Sequence, residues 1–295
     1  MQAALFFILY PFVLLISYSP FWLLYKISDG LFVLIYYVVR YRKSVVLTNL
    51  KNSFPERSNQ EIEEVCRKFY RYLCDLVVES LKTITWNEQQ ARSRVTMHNV
   101  EMLDALYAQG RSIIIVMGHL GNWEWAGPGF SLNCKHQLYV VYRPLANPYF
   151  EKVFSRARTK FSTKIVVKNN TLRSMVANRK TISATALIAD QAPSPIHSAL
   201  WLEFLHQDTA VFAGPEKIAK KLGYPVVYMQ VERVKRGYYE VHPTLLAEHP
   251  KETADIEITR EFNKILEKGI RKHPETWLWS HKRWKHKRST TSIAS

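Results

Sequence analysis

From Arg94 onward, short apolar, β-branched runs alternate with amphipathic helical segments, and this alternation restricts the fold more than any other feature. The runs "RVTMHNV", "SIIIVMG", "HQLYVVYR", "KIVVK", "ISATALIAD" and "YPVVYMQVER" have strand character. Between them, "EMLDALYAQG", "NPYFEKVFSRARTKF", "TLRSMVANRK" and "GPEKIAKKLG" carry helical spacing. In the second of these, Asn147 is placed to cap and Pro148 to occupy the first helical position. Strand and helix in turn predict an α/β fold around a largely parallel, mixed sheet flanked by helices. "SIIIVMG" is continuously apolar and ends in glycine, so it is expected to be a buried strand. "LWLEF" adds a strand after the Pro-rich "QAPSPIHSA", and "GYYEVHP" is expected to pair as a hairpin with the strand before it. "KETADIEITREFNKILEKGIRKH" forms the last long helix. An earlier one opens at Ser58, with Glu61 three residues on in a capping-box pattern, and continues through apolar Ile62, Val65, Phe69, Leu73, Leu76 and Val77.

The first 39 residues have a different character. No charged side chain occurs between Ala3 and Tyr25, a run long enough for a hydrocarbon core of about 30 Å. A second apolar stretch, "LFVLIYYVV", leads into the basic residues Arg40, Arg42 and Lys43. Pro11 and Pro20 interrupt the run, so a kinked or half-inserted helix is an alternative to a spanning one. Basic residues just after an apolar segment place the remainder of the chain on the cytoplasmic side. The expected organisation is a membrane anchor over residues 1–39, one α/β domain over 40–288 and a disordered tail over 289–295.

Lysine and arginine outnumber the acids 41 to 25, a net charge of +16 that favours anionic partners without choosing among them. Cys66, Cys74 and Cys134 form no CxxC pair, which suits a reducing compartment and offers no metal-ligand spacing. There is no GxSxG elbow, phosphate-binding GxxxxGK[ST], GxGxxG or HExxH.

"IIIVMGHLGNWEWAG" holds the candidate chemistry. Ten histidines among 25 acids in 295 residues make about one His-x4-acid pair by chance, so the spacing of His119 and Glu124 carries no weight alone. Its place does, because open α/β sheets gather ligands at the carboxyl ends of their strands. With His119 in the loop and Glu124 in the first helical turn, the carboxylate could fold back onto one ring nitrogen and raise the basicity of the other. Gly118 and Gly121 permit a tight turn, and N–H groups near the helix start, at Gly121 and Asn122, could face a developing oxyanion. A capped helix beside a surface histidine is the plainer reading of the same residues. A base without a protein nucleophile points to direct transfer onto a substrate hydroxyl.

Six blocks in order carry a resemblance. "YYVVRYRKSVVLTNLKNSFPERS", "GHLGNWEWAG", "YRPLANP", "ADQ", "AVFAGPEKIAKKLGYPVV" and "WLWSHKRWK" are similar to segments of the bacterial lipid A biosynthesis acyltransferases. These are the late lauroyl/myristoyl transferases of the lysophospholipid-acyltransferase-like superfamily. The resemblance implies a glycerolipid-acyltransferase-like fold at the bacterial inner membrane, with the catalytic domain facing the cytoplasm. It implies His119 as general base on an acceptor hydroxyl and Glu124 as the group that orients it. Arg143 would stabilise the oxyanion or hold an anionic part of a substrate, and Asp190 would sit near the acceptor or support the site. The donor would be a fatty acyl thioester on acidic acyl carrier protein and the acceptor a lipid A precursor, with no metal and no bound cofactor. Two departures stand near the acceptor side. Ala192, Pro193 and Ser194 follow the Asp-Gln where many members have a second acid, and His206 stands where a glycine is usual.

Arg283 and its neighbours are read as phosphate or membrane contacts, with a solvated end as the plainer alternative. Trp123 and Trp125 could line an acyl groove or pack behind the histidine, and His98, His242 and His273 are read as structural or exposed. The rival acceptors are an aminolipid, a glycolipid or a lysophospholipid. A rival of another class is a non-catalytic basic protein that binds nucleic acid or anionic lipid. No nucleic-acid motif supports it, so no nucleic-acid partner is expected.

Overall fold

The computed structural model describes residues 2–193, 196 and 199–288; the expected tail, 289–295, lies outside them. Among the described residues the chain runs α1 (Gln2–Tyr18), α2 (Phe21–Val33), α3 (Lys43–Ser53), α4 (Asn59–Lys82) and α5 (Glu88–Arg94) into β1 (Val95–Met97). It continues through α6 (Val100–Ala108), β2 (Ile113–Met117), α7 (Trp123–Asn133), β3 (Gln137–Tyr142), α8 (Pro148–Arg158), β4 (Lys164–Val167), α9 (Thr171–Ala177) and β5 (Ser183–Ile188). The hairpin β6 (Leu200–Phe204) and β7 (Gln207–Val211), α10 (Gly214–Leu222), β8 (Val226–Lys235), β9 (Tyr238–Ala247) and α11 (Glu257–Lys272) complete it.

Seven strands form one sheet in the order β1-β9-β8-β2-β5-β3-β4. β8, β2, β5, β3 and β4 are parallel neighbours; β9 returns antiparallel to β8 as the expected hairpin, with β1 parallel beside it. β2 lies in the middle. Ile114 and Val116 join a core with α3, α4, α10 and α11, while Ile113, Ile115 and Met117 join one with α5, α6 and α7. Burial on both faces explains the unbroken apolar run, and each such side chain contributes about 1.5–3 kcal/mol.

α4 begins as the capping box predicts: Ser58 Oγ accepts from the Glu61 N–H and the Ser58 N–H donates to Glu61 Oε2. Its face buries Ile62, Val65 and Phe69, with Val77 exposed where the apolar stripe drifts outward. Cys66 and Cys74 lie in that face, and burial pushes both thiols up to about 12, so neither is a nucleophile at neutral pH.

The N-terminal apolar run is two helices. α1 contains Pro11 and ends before Pro20. The buried Lys82 ammonium donates to the Ser17 and Ser19 carbonyls there, a cation at a helix C-terminus. α2 continues through a π-helical turn, Leu34–Val39, and Phe21–Val39 is, among the described residues, the stretch long and apolar enough by length and composition to cross a membrane. One face of α2 is tied to the domain: Ser28 donates to Asp75, Tyr25 donates to Glu79, and Asp29 pairs with Arg236, which also grips Asp75. Elsewhere on the two helices, Phe7, Ile8, Phe12, Leu15 and Trp22 are exposed.

Candidate active site

β2 and β5 are parallel with Met117 opposite Ile188, so the residues two positions beyond each strand emerge side by side. These are His119 and Asp190. His119 Nδ1 lies 2.6 Å from Asp190 Oδ1, and Asp190 Oδ2 accepts from the His119 backbone N–H at 2.7 Å and from Trp277 Nε1 at 2.8 Å. Burial of Asp190 opposes its ionisation. The facing His119 charge and these three hydrogen bonds outweigh burial and hold the carboxyl down at about 2. An ionised Asp190 places the ring proton on Nδ1, which leaves Nε2 as acceptor. Nε2 lies 3.3 Å from the Gln191 amide nitrogen, and the ring, still partly exposed, has Trp123 edge-on at 4.8 Å.

The chain's closing segment pins this loop. The Leu278 N–H donates to the His119 carbonyl, the Gly121 N–H to the Thr276 carbonyl, and Leu120 bridges to Trp277. Gly121 has φ +67°, and a Cβ there would stand 2.2 Å from the Val231 carbonyl oxygen. At Gly118 a Cβ would meet Leu266 and crowd Asp190 Oδ2. Gly121 is therefore required by its close approach to backbone and its positive φ, whereas at Gly118 the nearest atoms are the tip of the flexible Leu266 side chain.

Several expected roles are redistributed. Glu124 does not hold the imidazole: from the first turn of α7 it takes both its oxygens to Arg158 of α8, at 2.8 and 3.2 Å. The cause is competition, since Nδ1 has one proton to donate and Asp190, delivered by the adjacent strand, receives it. The Gly121 N–H is likewise spent on Thr276 and is not free for an oxyanion. Asn122 is fully buried; its Oδ1 caps α7 by accepting from the Trp125 N–H and its Nδ2 donates to Glu79. Arg283 is buried rather than facing lipid, with Nη1 donating to the Ala210 carbonyl at 2.6 Å. Trp125 packs against Trp86 behind the loop, whereas Trp123 lines a cavity in front of it.

That cavity, of about 620 Å³, opens at His119. Its exposed rim carries Arg143 and Lys168, with Gln191 and the Glu124–Arg158 pair beside them. Its depth, between the sheet and α7, is lined by buried Ile115, Phe130, Leu138, Ala186, Met229 and Val241. His281 also faces it, pushed by burial down to about 4 and so neutral at physiological pH.

Glu79 lies beneath the loop, completely buried. It accepts from Asn122, Tyr25 and Tyr239, and its carbonyl accepts from Trp125 Nε1. Burial, helped by nearby Asp75, pushes its carboxyl up to about 7. Sequence reading missed Glu79, Arg158 and Trp277. For the His119–Asp190 pairing a signal was within reach: "IAD" carries Asp190 two residues past the end of β5, as "MGH" carries His119 two residues past the end of β2.

A carboxylate-held imidazole at the lip of an apolar cavity is an arrangement suited to general-base chemistry on a substrate with an apolar part. The chain belongs to the bacterial lipid A biosynthesis acyltransferase family, whose sequence profile matches residues 1–286. It is 26% identical over 246 residues to the lipid A biosynthesis palmitoleoyltransferase of Escherichia coli (strain K12), covering 83% of this chain and 79% of that protein. The same organism's lipid A biosynthesis lauroyltransferase is 25% identical over 272 residues, 92% of this chain and 88% of that one. Its lipid A biosynthesis myristoyltransferase is 20% identical over 237 residues, covering 79% and 72%. The resemblance carried by the six blocks and the expected mixed, largely parallel α/β fold are both borne out, and the family is one of acyl transfer in lipid A biosynthesis.

Proposed function

We propose that this protein moves a fatty acyl group from an acyl-carrier-protein thioester to a hydroxyl of a lipid A precursor, with His119 as general base. The carrying observation is the 2.6 Å His119–Asp190 contact at the mouth of an apolar cavity. The acceptor hydroxyl displaces the Gln191 amide and gives its proton to Nε2 as its oxygen attacks the thioester carbonyl. Asp190 stabilises the imidazolium that forms. The tetrahedral intermediate collapses with cleavage of the C–S bond, and the leaving thiolate recovers the proton from Nε2. The exposed Arg143 stabilises the oxyanion or holds an anionic part of a substrate, while Glu124 fixes the wall through Arg158. No metal or bound cofactor takes part in this scheme.

The acyl chain occupies the cavity, whose volume lies within the range of about 300–1,000 Å³ usual for small-molecule pockets. The +16 charge suits an acidic carrier protein. The exposed apolar side chains of α1 and α2 seat the protein in the inner membrane from the cytoplasmic side, next to its lipid acceptor.

The test is transfer from acyl carrier protein charged with C12, C14 or C16 chains to a tetra-acylated lipid A precursor, using protein purified in detergent, with products read by mass. One added acyl chain, reduced about 10²–10⁴-fold in His119→Ala, is expected. Absence of transfer from folded protein with every donor would sink the lipid A reading. A second reading, the same chemistry on another lipid, draws on Ala192 and Pro193, which put no acid after Gln191 beside the acceptor path. Lipid profiling of a deletion strain separates the two.

A further inference from the structure

On the face of the sheet opposite the cavity, three side chains bring one donor atom each to within 4.8 Å of one another. His98 follows β1 and extends its pairing, its N–H donating to the Val241 carbonyl at 2.9 Å. Glu240 and His242 lie two apart on β9, so they point to one face while Val241 between them points to the cavity. The Nε2 atoms of His98 and His242 stand 3.4 and 3.3 Å from one and the same Glu240 Oε2, and all three atoms lie within 4.8 Å of one another. The two imidazoles are stacked, centroids 4.4 Å apart and planes 9° from parallel.

These distances fit poorly with hydrogen bonding. An imidazole N–H held by a carboxylate normally closes to about 2.7–2.9 Å. His98 Nε2 is sealed from solvent and has no hydrogen-bond partner among the described residues. The distances fit a tetrahedron instead: zinc bonds of about 2.0–2.2 Å to nitrogen and oxygen set ligand–ligand edges of about 3.3–3.5 Å. Two edges are already at that length; to close the third, one of the stacked rings must turn about its χ2 so that both Nε2 lone pairs meet at one point. The neighbouring acid, Glu232, is the register partner of Glu240 but is engaged by Lys272 at 2.9 Å, which leaves Glu240 as the carboxylate ligand.

We propose that His98, Glu240 and His242 bind one borderline divalent cation of the zinc class, with water in the fourth position. Two imidazoles and a carboxylate are a donor set suited to that class. The cation would clip the three-residue strand β1 to β9, joining segments far apart in the chain at the sheet's edge. The site is separate from His119 and supplies stability rather than acyl-transfer chemistry.

The test uses the full chain in detergent, stripped of metal, with zinc ion alone added in competition with a chromophoric chelator. One zinc per wild-type chain is expected, with a rise in the apparent melting midpoint on the order of 5 °C at saturating zinc. His242→Ala and the near-isosteric Glu240→Gln should each weaken that binding tenfold or more and abolish the rise. Both should melt close to the wild-type midpoint without zinc. Equal zinc affinity and equal shift in wild type and in the His98→Ala/His242→Ala double variant would overturn the proposal, as would no zinc binding by the wild type.

Discussion

Asp190 receives both the backbone N–H and the ring Nδ1 of His119, at 2.7 and 2.6 Å, so one carboxylate fixes the loop and the tautomer together. The two residues are 71 positions apart in sequence and adjacent only because β2 and β5 are parallel neighbours in register. Asp190→Asn preserves the shape but can offer an amide N–H to Nδ1, which leaves the wrong nitrogen as acceptor. We expect kcat to fall about 10²–10⁴-fold with a small change in KM, as loss of tautomer control does elsewhere. Steady-state kinetics of the folded variant decide it; an unchanged kcat would remove Asp190 from the mechanism.

The Glu124–Arg158 pair predicts a different pattern. Each partner is half-buried, so removing either leaves the other's charge without its counter-ion on the cavity wall. Glu124→Gln and Arg158→Met should each reduce activity, and the double variant should lose clearly less than the sum of the two. A double-mutant cycle should give a coupling of about 0.5–3 kcal/mol. Additive losses would mean that Glu124 acts on the substrate or His119 directly.

Gly121 has no room for a methyl group. Its left-handed backbone and the Val231 carbonyl 2.2 Å from an added Cβ predict that Gly121→Ala costs about 2–4 kcal/mol and displaces the His119 loop. Urea denaturation alongside the transfer assay would show a lower midpoint together with lost activity.

Local chemistry made much of this fold legible. The capping box at Ser58, the Asn147 cap with Pro148 and the β-branched run of β2 each commit a segment by themselves. The carboxylate partner of His119 was not legible in the same way, because His119 has an acid within five residues on its own chain segment. Which carboxylate wins depends on strand order, which a linear reading cannot rank. α5 was missed for want of an apolar stripe, being short and polar apart from its buried Ala91. β7 was hidden for another reason: the turn before it uses Leu205 and His206, with φ of 52° and 60°, where glycine or asparagine would have announced a two-residue hairpin.

That turn yields its own prediction. Leu205 is buried and its N–H donates to Glu267, while His206 is on the surface beside Arg271. A left-handed non-glycine residue costs about 1–2 kcal/mol, partly offset by the backbone entropy that glycine would lose. His206→Gly should therefore stabilise the protein by about 0.5–1 kcal/mol in denaturant titrations. Destabilisation instead would show that the Arg271 contact outweighs the strain.

Glu79 couples stability to pH in a direction opposite to the usual carboxylate. Burial, with Asp75 adding to it, raises the folded-state value to about 7, against hydrogen bonds from Tyr239 and Tyr25 that pull it down. The unfolded chain ionises near the ordinary glutamate value, about 4.3. Below that value both states hold the proton and the contribution is complete. As pH rises from about 4.3 to 7 only the folded state retains it, so stability falls by up to about 1.4 kcal/mol per pH unit, and above 7 the loss is complete. Glu79→Gln removes the titration while keeping an acceptor for the tyrosine hydroxyls. Its denaturation midpoint should vary less steeply than wild type between about pH 4.5 and 7, and converge with it at the acid end. An identical pH slope in the two proteins would place the titrating group elsewhere.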